Sequence, residues 1–161
     1  MIRTSSVEQT AIFARVLAAH VQAGDVILLT GNLGAGKTTL TQMIGKELNV
    51  RGRITSPTFV IAREHEAVGD GPGLVHVDAY RLEDAMELDD LDLDSELDDM
   101  VTIIEWGRGK AEQLSDSYLD IFIDRPEPDP ESEARTYTLG AHGPRWEGRV
   151  EQLTTACQEA L

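Results

Sequence analysis

Three groupings in this 161-residue sequence carry side chains that can do chemistry. One is the run Gly31-Asn32-Leu33-Gly34-Ala35-Gly36-Lys37-Thr38-Thr39; the others are two acids that each close an apolar stretch, Asp78 and Glu105. The first matches the phosphate-binding pattern G-x-x-x-x-G-K-[ST]. Glycines at 31, 34 and 36 let the main chain curl until successive N–H groups face an anion. A helix opening at Gly36, Lys37 and Thr38 would present its positive end to the same charge. The phosphate contacts are therefore expected from Gly31, Leu33, Gly34, Ala35, Gly36, Lys37, Thr38 and Thr39. Lys37 can reach the outer phosphates, and the Thr38 hydroxyl can hold a magnesium ion.

The flanking elements suit that role. Val26-Ile27-Leu28-Leu29 is a continuous apolar run, as in a buried parallel strand. Leu40, Met43, Ile44 and Leu48 then recur at helical spacing, so the order is strand, glycine turn, helix. Leu74-Val75-His76-Val77 ends in Asp78. An acid closing a buried strand needs a partner, and a metal ion beside the strand that leads into the phosphate loop is the favoured one. His76 shares a strand face with Asp78 and is left without a role. Val101-Thr102-Ile103-Ile104 repeats the pattern and makes Glu105 a second acid for the metal or its waters. Trp106 is either a core aromatic or a cover over the site. Thr58, after Pro57 in a stretch at 54–61 whose second half reads as a strand, has two readings of equal weight: a γ-phosphate and magnesium sensor, or a strand-entry threonine.

Whole-chain properties narrow the classes. The length suits one domain over 1–161, and a hydrophobic fraction of 41% suits a folded core. No apolar run has the length of a membrane span and no signal-type leader is seen, so the cytoplasm is the expected compartment. Cys157 is the only cysteine, which excludes an intramolecular disulfide. Net charge is −15, from 29 acids and 14 bases, with no cluster of Lys and Arg to hold a phosphate backbone. Direct nucleic-acid binding is not expected; any nucleic acid would be held by a partner.

Along the chain, Ser5 and Glu8 suggest a capping box before a helix with Val7, Ala11, Ala14, Leu17, Ala18 and Val21 on one face and Gly24 as its stop. Residues 67–73 form a glycine-rich turn. Residues 87–99 hold eight acids and no base, with leucines at 88, 91, 93 and 97. The spacing of Asp90, Asp92 and Asp94 fails as a calcium loop, because Ser95 replaces the glycine and Val101 the final glutamate. A solvated surface with leucine anchors, or a docking surface for a basic partner, are the readings that stand. Leu119, Ile121 and Ile123 alternate as in a strand with one wet face; residues 125–133 form an exposed proline-rich loop; Tyr137 and Leu139 suggest an antiparallel return. Trp146, Val150, Leu153 and Cys157 fall on one helical stripe, with Cys157 a core thiol. The expected fold is α/β, a P-loop NTPase-like three-layer sandwich whose mixed sheet has a parallel centre and antiparallel C-terminal strands.

Four separated motifs converge: the run 31–39, Ser56-Pro57-Thr58-Phe59, His76-Val77-Asp78-Ala79-Tyr80-Arg81 and Ile104-Glu105-Trp106. Together they resemble the bacterial TsaE family, the P-loop ATPases of tRNA threonylcarbamoyladenosine synthesis, over roughly residues 5–135. The resemblance implies a small ATP- and Mg2+-dependent ATPase, weak alone and stimulated by a threonylcarbamoyl transferase complex of TsaD- and TsaB-type proteins. That complex holds the tRNA and modifies the adenosine beside the anticodon. It implies Lys37 on phosphates, Thr38 and Glu105 on magnesium, Asp78 as the acid ending the second strand, Thr58 in a switch-like loop, Trp106 at the site affecting turnover, and Glu8 close to the adenine. Three positions depart from the family pattern: Gly107 stands where a proline is usual, Asp92 where glycine is common and His65 where tyrosine is usual.

Two other functions fit the motifs. A small P-loop kinase acting on a metabolite hydroxyl would need a basic lid, and the only proline-rich exposed loop here is acidic apart from Arg125. A nucleotide-dependent binding module would keep ATP binding and make turnover incidental. No N-K-x-D guanine motif occurs, which favours ATP over GTP. Any arginine assisting turnover would be Arg81 or Arg108, nearest the motifs, or one supplied by a partner.

Overall fold

The computed structural model describes residues 1–55, 61–93, 97–126 and 128–161. Its elements in chain order are β1 (Ile2–Thr4), α1 (Val7–His20), β2 (Val26–Thr30), α2 (Lys37–Glu47), β3 (Ala62–His65), β4 (Gly73–Asp78), α3 (Ala85–Asp89), β5 (Met100–Glu105), β6 (Tyr118–Asp124), β7 (Arg135–His142) and α4 (Arg149–Ala160). The strands form one seven-stranded sheet ordered β1-β7-β6-β2-β5-β4-β3. β2 runs parallel to β5 and β6, and β5 parallel to β4. The expected parallel centre and antiparallel C-terminal strand β7 are present. Two further antiparallel strands, β1 against β7 and β3 against β4, were not expected from the sequence. Both are too short to show a period of their own.

Alternation along β2 explains the three layers. Ile27 and Leu29 face one side, where Phe13 and Leu17 of α1, Leu40 and Ile44 of α2, and Leu153 and Cys157 of α4 pack with them. Val26 and Leu28 face the other, against Val75, Val77 and Ile104 and a thinner cover from Leu82, Leu88, Leu93 and Ala111. β2 is covered on both faces, which is why its sequence is apolar throughout. The leucine anchors of the acidic stretch are real: Leu88 and Leu93 are buried while Asp89, Asp90 and Asp92 are exposed. Asp92 sits at φ +51°, in the left-handed region where glycine is at ease.

Three local expectations change. The cap of α1 is Ser6, whose Oγ accepts from Gln9 N at 3.2 Å, while Gln9 Oε1 accepts from Ser5 N at 2.7 Å. The reciprocal pattern is thus shifted one residue from Ser5 and Glu8, because Gln9 serves as well as a glutamate. Trp146 lies in a 3-10 turn before α4 rather than on it, although it is fully buried beside Leu153 and Cys157. The strand expected within 54–61 falls largely outside the described residues.

One buried charge ties the ends of the core. Asp25, fully buried before β2, accepts from Arg145 Nε at 2.9 Å, from Arg149 Nη1 and Nη2 at 3.0 and 2.6 Å, and from Gln22 N at 2.8 Å. Burial also pushes the Cys157 thiol up to about 11. At neutral pH the folded protein should therefore resist maleimide labelling at Cys157, with full labelling only in denaturant; rapid labelling of native protein would contradict its core position. Among the described residues no helix is long and apolar enough to cross a membrane.

Candidate nucleotide-binding site

The parallel strands end together, with Leu29 and Asp78 both opposite Glu105 in register. Their carboxyl ends define the sheet edge at which open α/β folds bind ligands. From β2 the chain enters residues 31–36 and turns into α2. A side-chain carbon at Gly31 would lie 2.6 Å from the Ile123 carbonyl oxygen, so only glycine fits there. Gly36 is the N-cap of α2 at φ +109° and offers no side-chain cap. The first amides of α2 are therefore left for an external acceptor.

Lys37 is buried, at 5% exposure, and folds back over the loop. Its Nζ donates to the carbonyls of Gly31 at 2.7 Å and Asn32 at 2.9 Å, and lies 4.0 Å above the Trp106 ring. Burial pulls the amine below the ordinary lysine range, and the nearby Glu105 and Asp78 charges partly oppose that pull. Thr38 Oγ1 donates to both carboxylate oxygens of Glu105, at 2.8 and 3.0 Å. Glu105 is 2% exposed, and His76 Nε2 donates to its Oε2 at 2.5 Å. A carboxylate this deeply buried is stabilised by those donors, and period two explains the grouping. Glu105 shares the α2-facing side of β5 with Val101 and Ile103, and His76 and Asp78 share that side of β4 with Leu74.

The family model for "Threonylcarbamoyl adenosine biosynthesis protein TsaE" matches residues 4–135. The chain belongs to the TsaE family. It is 54% identical over 133 residues to the tRNA threonylcarbamoyladenosine biosynthesis protein TsaE of Streptomyces coelicolor, covering 82% of this chain and 90% of that one. With the Bacillus subtilis TsaE it shares 39% over 154 residues, covering 94% and 92%. The crystal structure of Bacillus subtilis YdiB superposes with a TM-score of 0.72 at 34% identity, covering 96% of this chain and 97% of that one.

The structure brings some of the expected TsaE site residues together and leaves others apart. Lys37, Thr38, Glu105 and Trp106 form one connected group. Trp106 takes φ +60°, and its ring lies 4.9 Å from that of Tyr80, so it covers the lysine rather than joining the core. Asp78 is half-buried and accepts from Tyr80 N at 3.0 Å. Its strand is not beside β2, the place expected for it, because β5 intervenes; the acid next to the phosphate loop is Glu105. Leu33 is 86% exposed and Thr39 is exposed in the first turn of α2. Glu8 is exposed in the first turn of α1, with no hydrogen bond or ion pair to the loop among the described residues. Thr58 lies outside the described residues.

Two residues with no role in the sequence reading touch the site. His76 holds Glu105, and its signal was available, since it stands two residues before Asp78 on the same strand face. Arg135, at the start of β7, donates from Nε to the Ala35 carbonyl at 2.9 Å. No local pattern marks it. Arg108 is instead committed to Asp120, with Nη2 at 2.6 Å, and Arg81 is exposed.

The donor set fits a nucleotide with magnesium. Among the described residues no cluster of three or more His, Cys, Asp or Glu forms a cage for a metal. Magnesium is commonly held by one or two carboxylates and completed by substrate phosphates and water. The buried Glu105 carboxylate and the Thr38 hydroxyl are the groups that could supply the protein's share of such a site.

Proposed function

We propose that this chain binds ATP with magnesium, hydrolyses it slowly alone and faster with TsaD- and TsaB-type partners, and thereby serves threonylcarbamoylation of the adenosine beside the anticodon of tRNA. The observation that carries this reading is the Lys37, Thr38 and Glu105 constellation at the carboxyl edge of a parallel sheet, in a chain of the TsaE family. Lys37 would exchange its two carbonyl acceptors for phosphate oxygens. Thr38 and Glu105 would hold the ion, with Asp78 the next acid along the same edge. Magnesium, when bound, neutralises charge on the phosphate oxygens. His76 keeps the Glu105 carboxylate aimed at Thr38. The net charge of −15 supports leaving tRNA to the partner complex.

The test is a reconstituted mixture of partner proteins, tRNA and ATP, with and without this chain. Modified adenosine should accumulate over many turnovers only with it, and ATP should yield ADP and free phosphate. Unchanged modification without the chain would refute the role, and phosphoryl transfer to a small hydroxyl compound would select the kinase instead. If Glu105→Gln keeps ATP binding and full modification while turnover stops, the chain is a binding module.

Trp106 offers a direct readout. Of the two tryptophans, Trp146 is fully buried away from the site and Trp106 lies over Lys37. Adding Mg-ATP should change the indole emission of the wild type, and Trp106→Phe should abolish that change. Persistence of the signal in the variant would place the nucleotide elsewhere.

A further inference from the structure

A trans peptide points its C=O and N–H in opposite directions. The peptide joining Ala35 to Gly36 is trans, and its carbonyl is held on one side by Arg135 Nε at 2.9 Å. The Gly36 N–H is thereby turned to the opposite side, and it donates to nothing among the described residues. A guanidinium on the carbonyl also polarises the amide and makes that N–H a better donor. Arg135 is itself held: Nη1 donates to Ser132 O at 3.0 Å and to Ala134 O at 2.8 Å. It forms no ion pair with a carboxylate among the described residues, in a chain with an excess of acids. A half-buried guanidinium committed wholly to main-chain carbonyls has a geometric task, because the rigid fork can reach three of them at once.

The same segment reaches α1. Glu133, two residues before Arg135, accepts from Val7 N at 3.0 Å, at the first residue of that helix. The stretch 132–135 therefore links the phosphate loop to the N-terminus of α1, although both lie far from it in sequence.

We propose that Arg135 is a positioning residue for the nucleotide: it braces the Ala35–Gly36 peptide so that the Gly36 amide is presented to phosphate, and it locks the loop to the segment that holds α1. This rests on the nucleotide reading above. Lysine at this position keeps the charge, but its three N–H donors radiate from one nitrogen and cannot span the Ala35, Ser132 and Ala134 carbonyls that Nε and Nη1 of the guanidinium reach.

The test uses the full chain and a fluorescent ADP analogue, with nitrogen-15 spectra of the nucleotide-free protein. Arg135→Ala and Arg135→Lys should both weaken ADP binding by roughly ten- to hundredfold, the range for a lost charge-assisted hydrogen bond. Thermal midpoints should stay near the wild type. In the wild type the Arg135 Nε–H should exchange slowly, and the Gly36 amide nitrogen should shift in both variants. If Arg135→Ala does not fold, the lysine variant and the wild-type Nε–H signal still decide. Affinity within twofold of wild type in either variant, or an Nε–H exchanging like that of free arginine, overturns the proposal. A wild type that binds no ADP would instead refute the nucleotide reading.

Discussion

Lys37→Ala should lose ATP binding by at least about a hundredfold while the protein stays folded. The size follows from charge-assisted hydrogen bonds in a poorly hydrated site, each contributing roughly 1.5–3 kcal/mol. Lys37 has two such bonds to exchange, now made to the Gly31 and Asn32 carbonyls. Its fold contribution has the opposite sign. Burial lowers its pKa, so the folded state binds the Lys37 proton more weakly than the unfolded chain does. Stability referable to this group therefore rises as pH climbs through the lowered value, and at neutral pH the charged amine is a liability to folding. Lys37→Met, which keeps the stem, should unfold at or above the wild-type temperature while failing to bind. Calorimetric titration and thermal unfolding check the two halves separately. Binding by wild type should also weaken toward alkaline pH earlier than an ordinary lysine would require. Undiminished affinity in Lys37→Ala would remove the basis of the proposed function.

Asp25→Ala should produce the largest loss of stability. The carboxylate is fully buried and is the shared acceptor for Arg145 and Arg149. Removing it leaves two partly desolvated guanidinium groups with main-chain carbonyls but no counter-charge, a change that typically costs about 3–5 kcal/mol. For a chain of this size each kcal/mol moves the midpoint by about 2–4 °C, so a fall on the order of 10 °C is expected. Arg145→Ala should cost less, since Arg149 still pairs with the acid and stacks its guanidinium 4.2 Å from the centre of the Trp146 ring. Denaturant unfolding of both variants checks the order. An Asp25→Ala midpoint within about 2 °C of wild type, an allowance far below the shift expected from breaking a buried pair, would show that the network carries no net stability. The proposed nucleotide site lies at the other end of β2, so affinity should survive at temperatures where the variant is folded.

Much of the site is legible in the sequence. The glycines and the Lys-Thr pair of residues 31–39 are meaningful within one turn of chain, and the apolar runs ending in Asp78 and Glu105 mark strand ends by composition alone. The alternation at Leu119, Ile121 and Ile123, the return strand at Tyr137 and the buried Cys157 follow from period and hydrophobicity. Capping is read less well, because Ser5 and Ser6 are neighbours and either could begin the helix; the choice fell to Ser6 when Gln9 could serve both ends.

What this sequence determined by itself was local: the phosphate loop, the helix that follows it, the acidic surface stretch and the identities of the acids at strand ends. Tertiary structure decided that β5 lies between β2 and β4, hence that Glu105 meets Thr38, a pair that only the family resemblance and no local pattern had joined, that His76 holds Glu105, and that Arg135 reaches Ala35. The reason is physical. Helical turns and glycine loops close over a few residues, whereas the neighbour of a strand is chosen by the packing of the whole sheet, which no short window contains.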